Sequence, residues 1–264
     1  MSDKIELDYK DIKIEISSEF RKGDAESIMF IPGLGCSKDS FKDVWQSPGF
    51  ERYTILTFDL LGFGDSSKPK AFSYTMEDHA EICKLIIEKL CLDKIHLVGH
   101  SMGGAIGLIL IERVPSRILS FTNLEGNLIG EDCSFSRDAV RYTVEEFEAK
   151  IFTDFKSRIK CTKDFNQQYH EWLSESDPYA FYRNSESLVK WSDSRELLKR
   201  FTDLTIKKWY VFGEANKNLP VLKMLDDVPK IEIAHAGHFM MIDNPKEFYR
   251  ELFNVLAGER VKCY

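Results

Sequence analysis

No stretch of this 264-residue chain is apolar for long enough to cross a bilayer. The longest such run lies around AIGLILI, positions 105 to 111, far short of the ~20 residues a membrane helix needs. The opening, MSDKIELDYK, alternates charged with apolar side chains and lacks the unbroken apolar core of a secretion signal. A cytoplasmic protein with no membrane partner is therefore expected. Basic clusters are missing too: 36 Lys and Arg stand against 43 Asp and Glu, a net charge of −7, which argues against nucleic acid as a partner. Cysteine is sparse and dispersed, at Cys36, Cys83, Cys91, Cys133, Cys161 and Cys263, with no C-x-x-C pair. That disfavours a disulfide framework or a zinc site and fits reduced thiols in a cytosol. Internal repeats and low-complexity tracts are absent as well.

The chain does have alternation. Residues 4 to 16, KIELDYKDIKIEI, change polarity at every second position, as strands or a hairpin with one wet face would. Short apolar runs follow: SIMFI (27–31), YTILTF (53–58), KIHLVG (94–99), ILSFTNL (118–124), KKWYVFG (207–213) and KIEIA (230–234). Between them, MEDHAEICKLIIEKL (76–90) and MGGAIGLILIERV (102–114) fit helices, with Cys83 on the apolar face of the first. Buried strands joined by crossover helices predict an α/β fold, a mostly parallel twisted sheet with helices on both faces. A last helix is expected from a cap at Asn244 and Pro245 in its first turn, with an apolar stripe of Phe248, Leu252 and Leu256 before Gly258.

One segment breaks this rhythm. From about Asn127 to Phe201 no strand pattern appears, and the sequence turns charged, aromatic and helical. The expected organisation is a core domain of residues 1–126 and 202–264 interrupted by a helical cap at 127–201. Such a cap would sit over the carboxyl edge of the sheet, where open α/β sheets bind ligands. Its aromatics, Phe165 and Tyr169 among them, are expected mostly to pack the cap onto the body, with a few lining a mainly apolar pocket.

The strand KIHLV runs directly into GHSMG (99–103) and then into a helix. G-x-S-x-G alone is a weak signal, and a turn serine without chemistry is its bland reading. The context strengthens it. Small residues at 99 and 103 permit a tight strand-to-helix turn that forces Ser101 into an exposed, strained position. The positive end of the following helix then points at charge developing there.

Four segments in order, each after an expected strand, carry a resemblance: FIPGLGCS (30–37), FDLLGFGDSSKP (58–69), GHSMGG (99–104) and AGHFMMIDNPKEF (236–248). Together they resemble the α/β-hydrolases of the single-domain, lidded kind over nearly the whole chain. The resemblance implies Ser101 as nucleophile and His238 as general base, a pair needed together because a serine hydroxyl attacks poorly until a base takes its proton. His235, three residues earlier, is the rival base. The resemblance also implies an oxyanion hole from the backbone N–H groups of Leu34 and Met102. Pro32 stands where the family commonly has a histidine, a departure that leaves the donor in place. Asp59, Gly62, Gly64 and Ser66 are expected to shape a nearby turn.

The third partner departs from the usual pattern. In this family an aspartate in the loop after VFG (211–213) orients the histidine, and here that place holds Asn216. Glu214 is close by but matches an ordinary loop residue of the family, and Asp132 is a remote option. Glu125, in TNLEGNL (122–128), ends a buried apolar run where a carboxylate is costly unless a charged or hydrogen-bonding group meets it. A subset of the fold, the haloalkane dehalogenases included, carries its acid there, so Glu125 is the expected partner of His238. Those enzymes attack with an aspartate, whereas a serine implies acyl transfer.

The expectation is a serine hydrolase of small to medium carboxylic esters, acting on a small-molecule acyl substrate and needing no cofactor and no metal. Carbon–carbon bond hydrolysis, a lipase or a cofactor-free haloperoxidase-like activity fits the same frame. A low-turnover ligand-sensing protein is the reading from a different class, suggested by Asn216.

Overall fold

The computed structural model describes residues 3–161 and 167–258, apart from the side chains of Lys160 and Cys161. Phe165 and Cys263 lie outside the described residues. The alternating segment is a hairpin of β1 (Asp3–Tyr9) and β2 (Ile12–Arg21). Lys10 and Asp11 turn the chain with φ of 46° and 64°, the left-handed pair that a two-residue hairpin loop demands.

β2 pairs antiparallel with β4 (Thr54–Phe58). Beyond it every pairing is parallel, through β3 (Ser27–Ile31), β5 (Ile95–His100), β6 (Ile118–Leu124), β7 (Lys207–Gly213) and β8 (Lys230–Ile233). The order across the sheet is β1-β2-β4-β3-β5-β6-β7-β8. Every residue of β3, β4 and β5 is buried, as it must be where helices cover both faces. Strand order reverses at β3: the chain steps out to β4 and returns to β5 on the other side. Loops leaving the carboxyl ends of β3 and β5 therefore diverge and open a crevice, and the site is built there.

Helix α1 (Met76–Lys89) starts at Thr75, whose hydroxyl accepts the Asp78 N–H at 3.2 Å. Helix α2 (Met102–Arg113) packs between the sheet and its neighbours, and ten of its twelve residues are buried. A helix apolar on all sides belongs in the interior, and each Leu or Ile buried there contributes roughly 1.5–3 kcal/mol.

Between β6 and β7, helix is the only regular structure among the described residues. It comprises α3 (Ser134–Ala139), α4 (Val144–Glu146), a π-helical turn (Phe147–Ile151) leading into α5 (Phe152–Cys161), α6 (Gln167–Ser174), α7 (Pro178–Asp193) and α8 (Glu196–Asp203). Aromatic contacts hold it together. Phe181, fully buried, meets Phe147, Phe152 and Phe155 at ring-centroid distances of 5.9, 5.4 and 5.5 Å. The helices dock through the Asp59 turn: Asp177 N–H donates to the Gly62 carbonyl at 2.9 Å, and a Cβ on Gly62 would stand 2.3 Å from that of Ala180.

That turn is itself pinned. Asp59 is fully buried and accepts the Lys38 N–H at 2.6 Å, the Asp65 N–H at 3.0 Å and the Lys38 ammonium at 3.1 Å. The chain continues through α9 (Met240–Asp243) to α10 (Pro245–Ala257), where the Asn244 side chain accepts the Glu247 N–H at 3.4 Å and Gly258 closes the helix in left-handed conformation. Cys36, Cys83, Cys91 and Cys133 are free thiols, and no helix among the described residues is long and apolar enough to cross a membrane.

Candidate active site

Ser101 sits between β5 and α2 with φ 51° and ψ −120°, a conformation unfavourable for any residue with a side chain. Its surroundings impose it. A Cβ on Gly99 would lie 2.6 Å from the Gly103 carbonyl oxygen, and one on Gly103 would lie 2.2 Å from that of Ile31. Three backbone segments thus meet where only hydrogen fits, and the Ser101 side chain is turned out toward the crevice.

The loop after β3 faces this turn. A Cβ on Gly33 would come 3.1 Å from that of Ser101. Neither the Leu34 N–H nor the Met102 N–H donates a hydrogen bond among the described residues, the second because the first turn of a helix has no acceptor for it. Tyr169, from α6, donates its hydroxyl to the Leu34 carbonyl at 3.0 Å and so ties α6 to this loop.

Glu125 follows β6 directly, with φ 41° and 5% exposure. The turn that bends it inward is held by buried Asn123, whose side-chain oxygen accepts the Gly126 N–H at 2.6 Å. The carboxylate is fully engaged. Oε1 accepts the Gly213 N–H at 2.9 Å, the Asn216 amide reaches Oε1 at 3.0 Å and Oε2 at 2.8 Å, and His238 Nδ1 lies 2.8 Å from Oε2. Such a set of donors is what makes a buried charge tolerable. It also fixes the tautomer: Nδ1 carries the proton, leaving Nε2 as a free base.

His238 is carried on a loop tied at several points. Ala215 N–H donates to the Ala236 carbonyl at 3.0 Å, Gly237 N–H to Asp243 at 2.9 Å, and the Asn244 amide to the Ala234 carbonyl at 2.8 Å. Beneath it, buried His100 Nε2 donates to the His238 carbonyl at 3.0 Å, with the two rings 4.7 Å apart. Burial, then the neighbouring imidazole, holds His100 neutral by pushing its pKa well below the usual histidine value.

The structure brings Glu125 and His238 into contact and sets Ser101 on the same cavity of about 340 Å³. The Ser101 hydroxyl donates to the Asn127 side-chain oxygen at 3.4 Å rather than to the imidazole. The rivals are occupied elsewhere. Glu214 accepts the His235 N–H at 2.8 Å, the His235 side chain is 88% exposed, and Asp132 accepts the Leu128 and Ile129 N–H groups at 3.0 and 3.1 Å. Sequence reasoning missed Asn127 and Tyr210 as cavity residues, and named Tyr169 only among the aromatics of 127–201 of which a few were expected to line it. Asn127 alone carried a local signal, lying two positions after the expected acid.

The chain's likeness to known proteins agrees with its fold. The family description "alpha/beta hydrolase fold" matches residues 26–245. Probable lysophospholipase BODYGUARD 4 of Arabidopsis thaliana is 37% identical over 100 residues, 37% of this chain, and the chain spans only 24% of that relative's length. Lipase 3 of Moraxella sp. (strain TA144) is 35% identical over 251 residues, covering 84% of this chain and 74% of that one. The esterase EaEST from Exiguobacterium antarcticum superposes with a TM-score of 0.74 at 17% identity, over 96% of this chain and 97% of its own, a likeness of fold alone. With a matching family description over most of its length and this sheet order, the chain belongs to the alpha/beta hydrolase fold family.

Proposed function

We propose that this protein is a serine hydrolase of small to medium carboxylic esters, with Ser101 as nucleophile, His238 as general base and Glu125 as the orienting acid. One observation carries the reading: a strained, outward-turned serine shares a cavity with an imidazole whose far nitrogen is bound to a buried carboxylate. The Ser101 hydroxyl swings about χ1 from Asn127 toward His238 Nε2 and gives up its proton as Oγ attacks the ester carbonyl. The Leu34 and Met102 N–H groups receive the negative oxygen of the tetrahedral intermediate. His238, positively charged at that moment and steadied by Glu125, returns the proton to the leaving alcohol. Water then repeats the sequence on the acyl-enzyme and regenerates Ser101. The helices 127–201 act as the cap that closes the acyl pocket.

The test is a panel of chromogenic esters of increasing acyl length, followed from mixing. Turnover with a burst of one leaving group per site, lost in Ser101→Ala, is the expected result. A folded, monodisperse protein that cleaves none of them contradicts the assignment and returns the chain to a ligand-sensing role.

A further inference from the structure

One end of the cavity beside Ser101 is polar in a way that ester cleavage does not require. Tyr210, on β7, lines it and is 1% exposed; its hydroxyl makes no hydrogen bond among the described residues and is not sealed in the core, so it opens onto the cavity. A phenol in that position is hydrated through the cavity until a ligand group takes the place of the water. Asp132 lines the same cavity: its Oδ2 takes the Leu128 and Ile129 N–H groups, and its Oδ1 takes no donor among the described residues. The Asn127 carboxamide links this end to the nucleophile. It donates to the Asp132 carbonyl at 2.8 Å and accepts from Ser101 at 3.4 Å.

The charge around the cavity is of one sign. Its described lining holds the carboxyl groups of Glu125, Glu131 and Asp132 and neither lysine nor arginine. Glu125 is committed to His238, and Glu131 faces the Arg195 guanidinium at 3.8 Å. Asp132 has no cation within ion-pair distance among the described residues, and burial followed by its acidic neighbours lifts its carboxyl to about 6.

We propose that Tyr210, Asp132 and Asn127 form an acyl-end subsite for a hydrogen-bond donor, favouring an ammonium over a hydroxyl over a plain methyl and rejecting a second carboxylate. This rests on the hydrolase reading above and adds the substrate class. A donor reaching Asp132 Oδ1 and the Tyr210 oxygen replaces their lost hydration, whereas a carboxylate brings like charge into a poorly screened cavity.

The experiment compares aryl esters of caproate, ω-hydroxycaproate, ω-aminocaproate and the adipate half-ester, repeated one methylene shorter and longer. The expected kcat/KM falls in the order ammonium, hydroxyl, methyl, carboxylate, with the half-ester at least about tenfold below caproate. Asp132→Asn should collapse the ammonium-to-methyl ratio, and Tyr210→Phe the hydroxyl-to-methyl ratio. Calorimetric titration of Ser101→Ala with hexylammonium, hexanol and hexanoate reads the same order without turnover. If no ester is cleaved but the binding order holds, the subsite stands and the hydrolase reading alone falls. If the half-ester and hexanoate match their methyl and hydroxyl counterparts, or both variants keep every ratio, the subsite is overturned.

Discussion

Asn216 donates its amide to both oxygens of Glu125, at 3.0 and 2.8 Å. The residue that replaces the family's usual acid is thus the partner of the acid that stands one strand earlier, and the two choices are complementary. An aspartate at 216 would set two carboxylates in contact. Asn216→Asp is therefore expected to destabilise the fold by about 1–3 kcal/mol at neutral pH. Thermal melts of the variant against wild type check this.

Glu125→Gln keeps the shape of the side chain and removes its charge. With the tautomer no longer fixed, kcat on a chromogenic ester should fall by ~10²–10⁴-fold, and the melting temperature should drop as well, because an amide NH2 then faces the Asn216 and His238 donors. Glu214→Gln, whose carboxylate is engaged with the His235 backbone, should leave kcat near wild type. Steady-state kinetics on the two variants, side by side, distinguish the positions.

The Tyr169 hydroxyl holds the carbonyl of Leu34, a residue that lines the cavity beside Ser101. Tyr169→Phe should lower kcat about tenfold with KM nearly constant, because a loosened donor weakens the transition state more than the bound ester. A loss confined to KM would mean that Tyr169 contacts substrate instead.

The Lys38–Asp59 pair lies in the interior, with side-chain exposures of 7% and 0%. Lys38→Met strands a buried carboxylate and should cost about 3–5 kcal/mol in urea unfolding. Adding Asp59→Asn should recover part of that loss, since the orphaned charge is then gone.

Asp132 gives a pH signature. Its carboxyl is raised from 3.8 to about 6 by burial, so the folded protein binds this proton more tightly than the unfolded chain. The wild type therefore gains stability as pH falls through about 6, and that gain is complete below 3.8. Asp132→Asn, neutral throughout, should be more stable than wild type above pH 6 by at most ~3 kcal/mol, with the difference vanishing toward pH 4. Melts across this range read it directly.

Much of this architecture was legible because buried strands and crossover helices have distinct periods. ILSFTNL, KIHLVG and SIMFI marked β6, β5 and β3 within a residue, and Gly99 and Gly103 announced a turn too tight for side chains. Glu125 was legible as a charge at the end of a buried run, a place where only a partner makes it affordable. Asn127, Tyr169 and Tyr210 were not. Each reaches the cavity only once distant segments have come together, and an asparagine or tyrosine in isolation shows no sign of which neighbours it will have. The aromatics of 127–201 that line the cavity, Phe135 and Tyr169, were hidden for the same reason, since helical spacing does not distinguish the face on the body from the face on the cavity.

The central claim is that Ser101 attacks with the help of His238. A fluorophosphonate probe, followed by mass spectrometry of the digested protein, tests it most directly. The account predicts one adduct, on the peptide carrying Ser101, and a labelling rate sharply reduced in His238→Ala. A folded protein that takes up no probe, or takes it up at another residue, would contradict it.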